Sequence, residues 1–332
     1  MNFHLSPKIK KYIGPLFGLA ILIAVALILH KQLHHLTLSG IKSHIHAVPT
    51  SALLLAMLFT LASYLTLSLY DILSMRYIQG HVPWYKSAFA SMLSYIFSNN
   101  IGLSLIGASA IRFRFYPAWG VSTSDVLKIV AFTWLSVWLG IISLTGLSLT
   151  IAPVSLPTEI PIPNQFVRPI GVSLLALLLL YLALCQFVRG EVRLPGKICL
   201  NLPKLRLALL QPIVGMANWS IAALVLFTLL PQSHDIHFLT LLSIYIIAQL
   251  IGIASHVPAG IGVFDATLLL MLSAYLESDA ALSAILLFRG IYYLIPLTIG
   301  GLILLAFELH TLTFKHHNHA NLPPDKPDQS DN

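Results

Sequence analysis

Long apolar runs constrain the fold of this chain more than any other feature. A helix needs about 20 apolar residues to cross a hydrocarbon core of roughly 30 Å. Only 9% of the 332 residues are charged, against about 25% in an ordinary soluble domain, which excludes a soluble enzyme, a disordered chain and a disulfide framework. The sequence therefore predicts an all-α, polytopic integral membrane protein. The uninterrupted runs cover residues 13–29, 52–69, 126–151, 170–188, 207–230 and 281–307.

Two further apolar stretches, residues 88–110 and 239–272, are interrupted by Gly, Pro and amide residues. The flanking charges put both ends of the first stretch on one side, which predicts a re-entrant hairpin bent near residues 99–102. Non-helical backbone at membrane depth is tolerated only inside protein or along a wet cavity. We expect about seven to nine membrane segments, including two such hairpins. The C-terminal part, from residue 239 to 307, admits either two or three crossings.

The distribution of Lys and Arg predicts the orientation. Three Lys precede the first run and five Lys or Arg lie in residues 189–206, whereas residues 153–169 hold only Arg168. We expect the N-terminus and the 189–206 segment to be cytoplasmic, with the first run as an uncleaved anchor in a bacterial inner membrane. The expected membrane domain covers residues 1–314, and we expect residues 315–332 to form a disordered polar tail.

An internal similarity relates the two interrupted stretches. Residues 95–102 (YIFSNNIG) and 245–252 (YIIAQLIG) share four of eight residues at an offset of 150. Inverted repeats with paired broken segments are typical of transporters that bind substrate near the midplane. The expected repeats are residues 10–151 and 168–307. A coincidence between two apolar hairpins is the alternative.

Polar residues in and after the first interrupted stretch form a candidate headgroup site. Guanidinium groups bind phosphate oxygens in a bidentate manner, and aromatic rings settle at headgroup level. The alternative is ordinary anchoring at a cytoplasmic membrane surface. The predicted headgroup residues are Asn99, Asn100, Arg112, Arg114 and Tyr116.

The second interrupted stretch contains Asp265, a carboxylate that needs a partner in an apolar region. Arg289 is the natural candidate, and the pair is interpreted either as a gate or as a structural tie between helices. Pro and Gly residues free backbone groups that can receive a polar ligand. The predicted broken-helix path comprises Gly102, Gly107, His256, Pro258, Gly260, Gly262, Tyr292 and Tyr293.

These motifs resemble the signatures of the lysylphosphatidylglycerol synthase transmembrane-region family, the flippase-like membrane domain of the multiple peptide resistance factor type. The resemblance rests on the Asn99–Gly102 region with Ala110-Ile111-Arg112 and Tyr116, on residues 120–122, and on residues 256–265 and 288–296. Ala259 departs from a usual Gly, and Asp265 from a commoner Glu. The resemblance implies translocation or binding of a lipid, and because little chain follows the last span, we expect no aminoacyl transfer.

We therefore expect an inner-membrane translocator for an anionic or aminoacylated phospholipid, without metal, cofactor or nucleic acid, and with a lipid-synthesis enzyme as a candidate partner. The alternatives are a membrane-embedded enzyme, for which His256 with Asp265 is the only plausible cluster, and a scaffold. Either would act on a lipid or a lipid-linked sugar.

Overall fold

The computed structural model describes residues 48–101, 104–151, 163–188, 191–194, 198–231, 236–255, 257–276 and 278–320. The predicted first span, residues 13–29, and the end of the predicted tail, residues 321–332, lie outside these ranges. The last described helix continues to Ala320, so it includes the first six positions of the segment predicted as a tail.

The described chain is almost entirely helical, as predicted. The exception is a small antiparallel hairpin of β1 (Glu191–Leu194) and β2 (Ile198–Asn201), in which Glu191 faces Asn201. The helices are α1 (Thr50–Tyr77), α2 (Trp84–Ile101), α3 (Ser104–Phe115), α4 (Thr123–Ile151), α5 (Val167–Phe187), α6 (Leu205–Leu229), α7 (Phe238–Ala254), α8 (Val263–Leu272), α9 (Ser278–Phe288) and α10 (Ile295–Ala320).

Five helical segments among the described residues are long and apolar enough to cross a membrane. Four of them contain α1, α4, α5 and α6, and the fifth, Ala280–Phe307, joins α9 to α10 through a π-helical segment, Arg289–Leu294. Leu, Ile and Val on the outside of these helices are exposed, as lipid-facing side chains are. The chain is a polytopic membrane protein.

Both interrupted stretches form helical hairpins. Helix α2 packs against α3, and α7 packs against α8. At 1.5 Å per residue, the ten-residue α8 is about 15 Å long, half of a hydrocarbon core. Residues 238–307 therefore contribute one complete crossing after a hairpin that dips into the membrane.

The helices have a consistent direction across the membrane. We call the side where α1 and α3 end and α4 and α6 begin the basic face, because it carries Arg76, Arg112, Arg114, Lys128 and Arg206. The Phe307 ring lies 5.1 Å from that of Phe115. The C-terminal end of the last span is thus at the basic face, which answers a question that the sequence left open.

Helices α1, α4 and α6 form the packed centre of the fold. Gly140 of α4 faces Gly215 of α6 so closely that a Cβ on Gly140 would lie 2.5 Å from the Cα of Gly215. Small residues at such crossings let two backbones approach where lipid provides no hydrophobic driving force. This contact holds α6, and with it Asn218, in a fixed position beside α1.

Candidate functional site: a polar centre between two buried ion pairs

The first ion pair joins α1 to the returning arm of the first hairpin. Arg112 donates from Nη2 to Asp71 Oδ1 at 2.6 Å and from Nε to Asp71 Oδ2 at 2.9 Å. The two side chains are only 2% and 0% exposed. A buried charge of either sign is costly unless it is paired and hydrogen-bonded, so each residue requires the other.

Two hydroxyl groups complete the environment of the Asp71 carboxylate. Tyr116 donates to Oδ2 at 2.9 Å and Ser91 donates to Oδ1 at 3.1 Å. The Arg112 guanidinium also lies 5.3 Å from the centre of the Tyr95 ring, in cation–π contact. The site at the basic face is therefore a closed network that links α1, α2 and α3.

This network places Arg112 and Tyr116 differently from the exposed clamp that the sequence suggested. Arg112 is enclosed by protein and bound to Asp71, while Arg114, two residues further on, is partly exposed. A headgroup phosphate at Arg112 would have to displace the carboxylate. Phosphate binding by Arg112 and Arg114 stays a prediction.

The second ion pair joins α8 to the long interrupted helix. Arg289 donates from Nε to Asp265 Oδ1 at 2.7 Å and from Nη2 to Oδ2 at 2.8 Å. This is the pairing that the sequence suggested, and the shorter Asp reaches the guanidinium in a bidentate manner. Asp265 is 23% exposed and Arg289 8% exposed, so this pair is more open than the first.

The turn before α8 supplies further ligands to both members of the pair. The N–H of Gly262 donates to Asp265 Oδ2 at 2.9 Å, and the carbonyls of Ala259 and Gly260 each accept from Arg289 at 3.4 Å. Ala259 has φ +54°, a conformation that favours Gly. This explains why Gly is usual at this position in the family that the motifs resemble.

A polar cluster joins the middles of three spans. The Ser63 hydroxyl donates to Asn218 Oδ1 at 2.8 Å and lies 2.9 Å from the hydroxyl of Tyr292. Ser63 is at the middle of α1, Asn218 is close to the middle of α6, and Tyr292 is close to the middle of the Ala280–Phe307 span. The cluster consequently lies near the bilayer midplane, and we call these three residues the midplane cluster.

The π-helical segment Arg289–Leu294 offers backbone acceptors beside this cluster. Tyr64 donates from its hydroxyl to the carbonyl of Tyr292 at 3.2 Å, and Asn100 approaches the carbonyl of Tyr293 at 3.5 Å from Nδ2. Such π-helical segments are frequent at functional sites. They are stable at membrane depth only where neighbours satisfy their carbonyls.

The two hairpins meet at this point. Helix α2 contacts both the 258–260 turn and the π-helical segment. Asn100 lies at the inner end of α2, and Gln249, near the inner end of α7, donates to the hydroxyls of Tyr245 and Tyr293. Asn100 and Gln249, one from each of the two similar segments, therefore lie at one polar region, while the repeat itself stays a prediction.

The two ion pairs lie on opposite sides of the midplane cluster. Asp71 is about 12 Å beyond Ser63 along α1, toward the basic face. Arg289 is almost one turn before Tyr292, toward the opposite face. A polar molecule that passes from one face to the other along these residues would meet one pair, then the midplane cluster, then the second pair.

Not every predicted path residue lies at a helix break. Gly107 is inside α3, so it is part of a regular helix. Pro258 begins the short 3₁₀ turn Pro258–Gly260. Asn99, which was predicted as a headgroup residue, is partly buried on α2. Gly102 and His256 lie outside the described residues.

Sequence reasoning missed Asp71, Ser63 and Asn218. Asp71 lies two residues after the 52–69 run, where an acid can simply end a span, although an acid in an apolar helix also indicates a buried partner. Ser63 and Asn218 carry a weaker signal, because single polar residues in apolar helices commonly bond to their own backbone. Only the packing of α1 against α6 brings these two together.

Comparison with known proteins relates most of the chain to two bacterial proteins. It is 34% identical over 305 residues to the uncharacterized protein slr0712 of Synechocystis sp., covering 91% of this chain and 94% of that protein. It is 29% identical over 272 residues to the inner membrane protein YbhN of Escherichia coli, covering 81% and 84% of the two chains.

A third relative is larger than this chain. The phosphatidylglycerol lysyltransferase of Staphylococcus xylosus is 29% identical over 320 residues, which are 94% of this chain and 36% of that protein. Residues 16–300 match the family described as the lysylphosphatidylglycerol synthase TM region. The resemblance inferred from the motifs is confirmed: this chain belongs to the lysylphosphatidylglycerol synthase TM region family.

Proposed function

We propose that this protein moves a phospholipid headgroup between the leaflets of a bacterial inner membrane, through the midplane cluster. The observation that carries the proposal is the convergence of two broken hairpins and a π-helical segment on polar side chains at mid-depth. Polar and ionisable groups at this depth are expensive and commonly mark a substrate path. The name of the Escherichia coli relative supports a location in the inner membrane. The lysyltransferase relative supports an anionic or aminoacylated phospholipid as the substrate.

The second ion pair is the better phosphate site of the two. Its guanidinium presents a planar fork that fits two phosphate oxygens. When phosphate takes the place of the carboxylate on Arg289, Asp265 keeps the N–H bond from Gly262. The carbonyls of Ala259 and Gly260, which accept from Arg289, are also suited to hydroxyl or ammonium donors of a headgroup.

The two ion pairs act as gates on opposite sides of the midplane cluster. The Asp71–Arg112 pair is enclosed, while Asp265 of the second pair is 23% exposed. The described conformation is therefore the one closed toward the basic face. Opening the first network would require Arg112 to exchange Asp71 for another anion, and an incoming phosphate provides one.

A leaflet assay tests this function directly. Purified protein is reconstituted into liposomes with fluorescent phosphatidylglycerol or phosphatidylethanolamine, and the fraction accessible to an external reductant is followed over time. We expect faster exposure of phosphatidylglycerol with the wild-type chain. Arg289→Gln, which loses the fork and the charge, should abolish the acceleration.

Arg76→Gln is the matched control, because Arg76 is exposed at the basic-face end of α1. It carries the same change in charge and should translocate at the wild-type rate. An equal loss in both variants would show that net charge, and not the second ion pair, governs the assay. No acceleration of either lipid by the wild-type chain would contradict lipid translocation for these headgroups.

A further inference from the structure

The second ion pair carries no net charge, because the carboxylate of Asp265 balances the guanidinium of Arg289. The carboxylate accepts from Nε and Nη2 of Arg289 at 2.7 and 2.8 Å and from the N–H of Gly262 at 2.9 Å. Both side chains are mostly enclosed, and within the residues that the structure describes Arg289 is the only cation in a salt bridge with Asp265. The charge of Asp265 therefore depends on one partner.

The elements around α8 offer Asp265 no second cation. Helices α7 and α9 and the 258–260 turn pack against α8, and the π-helical segment holds Arg289. His256, which precedes the turn, lies outside the described residues. The titratable residues of the four elements are Tyr245, Asp279, Arg289, Tyr292 and Tyr293. Apart from Arg289 they are phenols or an acid, so none of them can replace Arg289 as the counter-charge.

Binding of a phosphate upsets this balance. Under the proposed function an anionic headgroup takes over the fork of Arg289, and Asp265 keeps only the N–H of Gly262. Phosphate and carboxylate are then two anions beside one guanidinium. A neighbouring like charge and enclosure both disfavour the charged form of a carboxylate, and a buried carboxylate without a partner becomes neutral. The first turn of α8 favours the anion, but this effect is weaker than that of a lost bidentate partner.

We propose that Asp265 is a proton-binding site, which takes up one proton when a phosphate occupies Arg289. The proton comes from water at the face opposite the basic face, to which Asp265 is partly exposed. It forms an O–H bond at Oδ1, while Oδ2 keeps the N–H of Gly262. The site then holds a neutral acid and a phosphate–guanidinium pair, so its net charge is again zero. When the phosphate leaves, the proton returns to water and the ion pair forms again.

This inference rests on the proposed function and adds a driving force to it. An anionic headgroup and a proton cross the membrane as an electroneutral pair, so the membrane potential does not oppose the movement. A difference in pH between the two faces then drives the lipid in the direction in which protons flow. Intramembrane carboxylates serve as proton relays in other transporters.

Calorimetry of lipid binding tests the proposal on the full chain, purified in detergent micelles. Dihexanoyl phosphatidylglycerol is titrated at about pH 6, where an ordinary exposed Asp is ionised, in two buffers of different ionisation enthalpy. The difference between the two heats gives the number of protons taken up per lipid. We expect about one proton per lipid in the wild-type chain, and an affinity that rises as the pH falls, by at most about tenfold per pH unit.

Asp265→Asn removes both the proton acceptor and the carboxylate that competes for Arg289. It should bind the lipid more tightly than the wild-type chain, without proton uptake and with an affinity that does not depend on pH. Asp125→Asn is the matched control, because Asp125 is an acid on α4 that pairs with Lys128, and it should behave as the wild type does. The pH dependence of the wild-type affinity is a second measurement, which requires no variant to fold.

The outcomes separate this inference from the proposed function. Binding of the lipid to the wild-type chain without proton uptake would overturn the inference and leave the proposed function standing. Equal uptake by Asp265→Asn would overturn it as well, because the proton would then belong to another group, such as His256. Absence of binding to the wild-type chain would contradict the proposed function and the inference together.

Discussion

Replacing Asp71 with Asn leaves the Arg112 guanidinium charged inside the protein without its counter-charge. The carboxylate accepts from Arg112 Nε and Nη2, from Tyr116 and from Ser91, and the amide keeps only one acceptor oxygen. Removing one member of a buried pair costs about 3–5 kcal/mol. We expect Asp71→Asn and Arg112→Gln each to lower the free energy of unfolding by this amount.

Removing both charges should cost less than the two single changes together. In Asp71→Leu/Arg112→Met, side chains of similar volume replace the pair, an exchange that is often neutral in other proteins. The hydroxyl of Tyr116 loses its acceptor, which costs about 1–3 kcal/mol for an unsatisfied group, whereas Ser91 keeps the carbonyl of Leu67 at 2.9 Å. We therefore expect the double variant to be destabilised by no more than either single variant.

Unfolding by sodium dodecyl sulfate in mixed micelles, followed by fluorescence of the five Trp, gives these free energies. A cycle built from wild type, Asp71→Leu, Arg112→Met and the double variant isolates the coupling between the two side chains. Losses below about 1 kcal/mol in both single variants, the range of exposed pairs, would refute the description of this network as a closed, buried pair.

Three further changes test other parts of the fold and site. Gly140→Leu forces a side chain against Gly215 and should lower the free energy of unfolding by about 1–3 kcal/mol or more, measured as a lower detergent concentration at the unfolding midpoint. Gly290 has open space around it, so Gly290→Ala should change the free energy of unfolding by no more than about 1 kcal/mol. Ala259→Gly relieves a left-handed residue and should stabilise by about 1 kcal/mol in the same assay, and a loss of stability would contradict the strain argument. Arg289→Lys keeps the charge without the fork, so it should lower the rate of phosphatidylglycerol exposure in the leaflet assay while the midpoint changes little; full activity would rule out bidentate recognition.

The sequence predicted the helices well because each apolar run is a local property. The runs ending near residues 69, 151, 188 and 230 all appear as helices, and both interrupted stretches appear as hairpins. The face at which the last span ends could not be predicted, because the 239–307 region carries few Lys or Arg to orient it. It follows from a tertiary contact, the one between Phe115 and Phe307.

The site was predicted only where its parts are close along the chain or unusual in type. Asp265 and Arg289 are 24 positions apart, and each is the conspicuous charge of its stretch. Asp71 and Arg112 each had a simpler interfacial explanation, and the sequence contained no sign that their helices meet. The π-helical segment ends two residues before Pro296, and a proline there predicts a kink but not an extra residue per turn.

The two ion pairs are related in position but not in sequence. An offset of 150 would place the equivalent of Arg112 at Gly262, which carries no charge, and the hairpins present opposite charges, Arg112 on the first and Asp265 on the second. A duplicated segment alone does not account for such an arrangement. Under the proposed translocation, the need to close each face would account for it, because an anionic headgroup would open a pair by taking over its guanidinium. The pairs are on different helices and about 12 Å or more apart, so one can open while the other stays closed. A protein that moves a headgroup without leaving an open pore needs two such independent closures.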